Sequence, residues 1–164
     1  VVAWMLSRVI GWEPVPGAWN VRPRDPHASA PQRGSGPMTL DFAFPAPVPA
    51  PVTTIAWRLA HVIVGCLGIR AANHFGGAPC SADAFPYAAT AAEALAQLDT
   101  AYAAWLAGVR GLDDTGLARP IGPAEGPFAA EPMVTLVLHI NREVIHHGAE
   151  IALLRDLYVH RFPG

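Results

Sequence analysis

Glu143 and His147 stand four residues apart in the segment Leu138-His139-Ile140-Asn141-Arg142-Glu143-Val144-Ile145-His146-His147-Gly148-Ala149-Glu150. Side chains at that spacing on a helix lie one above the other, with Cβ atoms about 5–6 Å apart. A carboxylate oxygen and an imidazole nitrogen so placed can both reach a divalent cation at about 2.0–2.2 Å. Each offers its lone pair near neutral pH without a large proton penalty. A facial ligand set needs a third group from another element. His61 is the best candidate, because it falls within the apolar run Trp57-Arg58-Leu59-Ala60-His61-Val62-Ile63 and so faces the core. On spacing alone a second reading stays open. A Glu-x-x-x-His pair is commonly a local ion pair on a solvated face, and a histidine in an apolar run is commonly a hydrogen-bonded core residue. His146 points about 100° away from His147 round the helix, and His139 lies about 12 Å further along it, so neither is expected as a ligand.

Three long helices must position these groups. The first spans about 53–73, with Thr53 or Thr54 as N-cap after a proline-rich approach. Its apolar residues Ile55, Leu59, Val62, Ile63, Cys66 and Leu67 follow helical spacing. The second covers about 87–112, with Leu95, Leu98, Tyr102, Trp105, Leu106 and Val109 as the expected buried stripe. The third covers about 132–159, opening on Pro132, whose missing N–H costs nothing in a first turn. Residues 11–52 carry ten prolines, which excludes a long helix there, although the alternation from Met38 to Phe44 suits a short strand. The Gly- and Pro-rich stretch Asp113–Glu131 shows no helical period and is expected as a loop. Residues 1–10 resemble the end of a first helix. The expected architecture is all-α, one domain over 1–164, of four-helix-bundle type with a short or truncated first helix and a proline-rich excursion before the second. So short a first helix leaves an apolar groove, and a homodimer or further upstream chain is expected to cover it.

Composition narrows the function. A chain of 164 residues, 52% hydrophobic and 15% charged, can bury a real core and is not disordered. The formal net charge of -2 gives no footing for nucleic acid or anionic lipid. All eleven basic residues are arginine, which with the abundant Ala, Gly and Pro reflects base composition rather than mechanism. Two cysteines without CxxC spacing make no disulfide framework, and Cys66 is expected as a small buried hydrophobe. The opening VVAWMLSRVI lacks a basic leader and a cleavage site, and Arg58, His61 and Arg70 interrupt the longest apolar run, so a cytoplasmic protein with no membrane span is expected. Trp12, Trp19 and Phe42 are expected in the core rather than as walls of a pocket.

Three motifs, in order, resemble the DinB-like metalloenzyme superfamily: Trp19-Asn20-Val21-Arg22, Trp57-Arg58-Leu59-Ala60-His61, and Arg142-Glu143-Val144-Ile145-His146-His147-Gly148-Ala149-Glu150. The resemblance covers about residues 10–160 and implies a four-helix bundle. It implies a metal ligand on the second helix and a His-x-x-x-His or Glu-x-x-x-His pair on the last, here His61, Glu143 and His147. Glu143 in place of a first histidine resembles mycothiol-dependent maleylpyruvate isomerase. Gly148-Ala149-Glu150 departs from the Arg-Gly-Gln of many members.

The implied chemistry is thiol transfer or isomerisation, with a low-molecular-weight thiol such as mycothiol and an electrophilic substrate as partners. Zinc is the default cation, and two histidines with one carboxylate also accept nickel or ferrous iron. Glu150, one turn beyond His147, is a candidate to orient an imidazole, with a solvated helix face as the equal competing use. Arg142 and Arg155 are candidates for a carboxylate of thiol or substrate, with surface ion pairing, such as Arg155 with Asp156, as the competing use. The alternative to an enzyme is a non-catalytic metal-binding or stress-related bundle.

Overall fold

The computed structural model describes residues 9–28 and 30–162. The expected end of a first helix at 1–10 therefore lies almost wholly outside the described residues. Val9 is helical and buried, and it packs with Ile55 and Leu154.

The proline-rich stretch is not merely a connection. Its three short strands, β1 (Val21–Pro23), β2 (Gln32–Arg33) and β3 (Met38–Asp41), form an antiparallel sheet in the order β1-β3-β2. Val21 pairs with Leu40, and Gln32 with Asp41. The fold is thus mostly helical with a small sheet, where an all-α architecture was expected; β3 also stops short of Phe44. Extended pairing needs no run of free N–H groups on both edges, so short strands tolerate the flanking prolines that a helix cannot.

The sheet fixes where the first long helix begins. The Asp41 carboxylate accepts from the Asn20 backbone N–H (3.0 Å) and from Arg22 Nε (2.8 Å). Asn20 Oδ1 accepts from the hydroxyl of fully buried Thr54 (2.8 Å), and Thr54 Oγ1 in turn accepts from the Trp57 N–H (3.2 Å). Thr54 is therefore the N-cap, and the Trp19–Arg22 motif is the brace that holds it.

Helix α1 (Ile55–Phe75) opens with α-helical turns, widens into π-helical turns over His61–Gly68, and returns to α over Ile69–Phe75. By length and apolar content it is the one described helix that could cross a bilayer. Here its Val62, Cys66 and Leu67 pack with Trp105, Met133, Leu136 and Ile140 to form the core. Burying each large side chain stabilises the fold by about 1.5–3 kcal/mol relative to exposure.

Helix α2 (Ala91–Arg110) starts at a reciprocal capping box between Thr90 and Glu93, later than the 87 expected. Its buried residues are Ala91, Ala94 and Trp105, while Leu95 and Tyr102 of the expected stripe are exposed. The reason is close approach. Ala101 packs beside Leu98 and Trp105 against the α1 core residues, and a Cβ on Gly108 would collide with the Phe75 ring. The 113–131 segment is more ordered than a loop. It holds α3 (Asp114–Ala118), capped by Asp113, and a 3-10 segment, Pro123–Phe128. Helix α4 (Met133–Arg161) buries Met133, Leu136, Ile140 and Leu154 along one face. Residues 143 and 147 continue that stripe.

Candidate metal centre

Helices α1 and α4 bring His61, Glu143 and His147 together. One ligand-capable atom from each lies within 4.8 Å of the others. The His61 and His147 rings meet edge to face, with centroids 4.7 Å apart. His147 Nε2 lies 3.6 Å from Glu143 Oε2, a separation that a cation between them can bridge.

The orientation of His147 comes from Glu150. His147 Nδ1 lies 2.7 Å from Glu150 Oε2. As Nδ1–H donates to that carboxylate, the Nε2 lone pair faces Glu143 and His61. Arg58, one turn before His61, pairs with the same Glu150 oxygen. Its Nη1 is also 3.5 Å from His147 Nδ1. Both groups are donors when Glu150 is the acceptor, so that approach is a consequence of their shared acceptor rather than a hydrogen bond.

His61 is different. Among the described residues it makes no hydrogen bond, although it is largely withdrawn from water. Burial, and secondarily the neighbouring His147, push its pKa from 6.5 down to about 4; Glu143 opposes this, and Arg70 and Arg58 add to it. The ring is consequently neutral at physiological pH, with a lone pair that no protein donor uses. That imidazole, half-buried and without a protein partner among the described residues, stands beside a carboxylate and an oriented second imidazole and fits a divalent cation in its donor chemistry. The reading of His61 as a hydrogen-bonded core histidine finds no partner among the described residues. Cys66, buried nearby, is held as a thiol, its pKa pushed up to about 11 by burial and then by Glu143.

The other candidates lie at the margin. His139 is near Glu143 Oε1 at 3.7 Å but is solvated, and joins no ligand group among the described residues. His146 forms a second group with His147 and Glu150. That group draws on one helix alone, and its Glu150 is already engaged by Arg58. Arg142 is exposed, with Nη2 2.8 Å from His139 Nδ1 and 3.5 Å from Glu143 Oε1, at the rim of the cluster. Arg155 is turned to Asp156 on the surface at 2.9 Å, the competing use expected for it. Trp19 is buried as expected and packs against Trp57 and half-buried Phe42, whereas Trp12 is half-buried and packs against Tyr158 and exposed Phe162.

Sequence reasoning missed three contributors. Trp57 stacks on His61, Arg58 holds Glu150, and Gly65 lies against the His61 ring. Arg58 and Trp57 precede His61 by three and four residues, so helical spacing from His61 was the available signal. For Gly65 there was none, because a helical glycine carries no mark of what it faces.

No curated protein and no solved structure matches the chain. A family model described as the DinB superfamily matches residues 8–151. That span includes all three clustered residues and the sheet that braces α1, and the chain belongs to the DinB superfamily.

Proposed function

We propose that His61, Glu143 and His147 hold one divalent cation, most simply zinc, and that the protein is a metal-dependent thiol transferase or isomerase. The observation that carries this reading is the neutral, unbonded His61 imidazole within 4.8 Å of the other two ligand atoms. Three protein ligands leave a position open, the pattern of catalytic rather than structural zinc. A cation held there would supply the positive charge that favours the thiolate form of a low-molecular-weight thiol such as mycothiol.

Charge supports an anionic partner. Among the clustered groups Glu150 and Arg58 cancel, and Glu143 is met only at the rim, by exposed Arg142. A divalent cation leaves the site one charge positive, which a single thiolate neutralises. In this reading Glu150 orients His147, Glu143 contributes charge, and Arg142 at the rim meets an incoming carboxylate. The protein would work in the cytoplasm on an electrophilic substrate, without nucleic acid or membrane. A second copy would cover the exposed apolar face of α4, where Leu138, Ile145 and Leu153 are 63%, 73% and 60% exposed.

One observation favours the alternative, a non-catalytic metal-binding bundle. Two cavities of about 350 and 490 Å³ lie beside α1, and among the described residues neither is lined by His61, Glu143 or His147. Cobalt substitution separates the readings. In the enzyme reading, millimolar thiol adds a sulfur-to-cobalt charge-transfer band, which is absent from His147→Ala. A spectrum that ignores thiol while cobalt stays bound would remove the thiol-transfer reading and favour the alternative.

A further inference from the structure

A ligating imidazole ordinarily fixes its ring by donating its second N–H to a carboxylate, carbonyl or water. His147 follows that rule through Glu150, but His61 has no such partner among the described residues. Its ring is bounded by shape instead. On one side, four residues earlier, Trp57 lies parallel to it, with centroids 5.5 Å apart and planes 10° from one another. That is offset stacking of an aromatic pair. The indole is itself anchored, since its Nε1–H donates to the Asp41 carbonyl at 2.7 Å and its rings rest on Trp19 at 6.1 Å. Four residues later stands Gly65. A Cβ there would lie 3.1 Å from His61 Nδ1 and 3.2 Å from Cε1, closer than ordinary van der Waals contact.

The Gly65 side is also held in place. Arg70 Nη1 donates to the Gly65 carbonyl at 2.6 Å, and Arg70 Nη2 pairs with Glu125 at 3.1 Å. Glu125 in turn meets the buried His74 side chain at 2.9 Å. The sheet therefore secures one wall, and the 3-10 segment after α3 secures the other. His147 closes a third side.

We propose that Trp57 and Gly65 form a slot that sets the plane of the His61 imidazole, replacing the hydrogen bond such a ligand usually makes, and that both are positioning residues for cation binding. The inference rests on the metal reading above. It explains why glycine, poor in helix interiors, occupies the first π-helical turns beside a ligand. A methyl group at 65 displaces the ring by a few tenths of an ångström, enough to spoil a ligand set whose distances tolerate little.

The test is Gly65→Ala, read by cobalt titration and by urea unfolding of the metal-free protein. A glycine with only a backbone role in a helix would gain stability on becoming alanine and keep its metal affinity. The slot instead requires unchanged or higher metal-free stability together with an affinity loss of about tenfold or more, the range seen when an orienting partner is removed. Trp57→Phe, which keeps a stacking face, should retain most of the affinity that Trp57→Leu loses. Should Gly65→Ala fail to fold, this second pair decides. Wild-type affinity and spectrum in Gly65→Ala, or in Trp57→Leu, would overturn the slot while leaving the metal site standing. Absence of cobalt binding by the unsubstituted protein would overturn both.

Discussion

The metal-free protein should lose stability as pH falls from neutrality, and His61 should be a principal cause. Its pKa is about 4 in the folded chain against 6.5 for an unperturbed histidine. Between those values the unfolded chain binds the proton and the folded chain does not. Stability therefore rises with pH across that window and is lost as pH falls through it. Applying the two values, the loss between about pH 7 and about pH 5 is about 2 kcal/mol, approaching 3 kcal/mol near pH 4. Urea unfolding of chelator-treated protein at several pH values measures this. His61→Gln removes the titration, so its stability should fall about 2 kcal/mol less than that of the unsubstituted chain over the same interval. Other carboxylates and histidines titrate too, and the difference between the two proteins isolates His61. Parallel stability curves for the two proteins would refute the claim that burial keeps this imidazole neutral.

Two further predictions concern the surroundings of the cluster. Glu150→Gln keeps the volume but weakens the acceptor for His147 Nδ1–H and leaves Arg58 without its ion pair; metal affinity should drop by about 10–100-fold, read by competition with a chelating dye. If the exposed apolar face of α4 meets a second copy, Ile145→Lys should give a monomer by light scattering with cobalt affinity unchanged, since Ile145 lies on the opposite side of the helix from the ligands. A monomeric unsubstituted protein would remove the dimer.

The parts of this molecule that depend on helical phase were legible in the sequence. Glu143 and His147 share a face because four residues is close to one turn, and His61 points inward because it lies within a largely apolar run. The long helices fall within a few residues of their expected bounds, apart from the later start of α2 at Ala91. What escaped was set by contacts distant in sequence. Leu95 and Tyr102 have the apolar character of a buried stripe. The buried face instead carries Ala91, Ala94 and Trp105, with Leu98 and Ala101 packed against the core beside α1 and Gly108 leaving room for the Phe75 ring. The sheet was only partly legible: alternation marked the strand at Met38–Asp41, but one as short as Gln32–Arg33 leaves none to read, yet the sheet anchors Trp57 and braces the cap of α1. Arg58 looked like an interruption in an apolar run. Its partner Glu150 is ninety-two residues away, and only the packing of α1 on α4 pairs them.

The most direct test of the account is the cation content of the protein, purified without a metal-binding tag, beside five alanine variants. The account expects one divalent ion per chain in the unsubstituted protein and in His139→Ala and His146→Ala, with occupancy sharply reduced in His61→Ala, Glu143→Ala and His147→Ala. Because His146 belongs to the overlapping group with His147 and Glu150, its variant also decides which of the two groups holds the ion. Equal retention in all five variants, or loss in His146→Ala with retention in His61→Ala, would contradict the assignment of His61, Glu143 and His147.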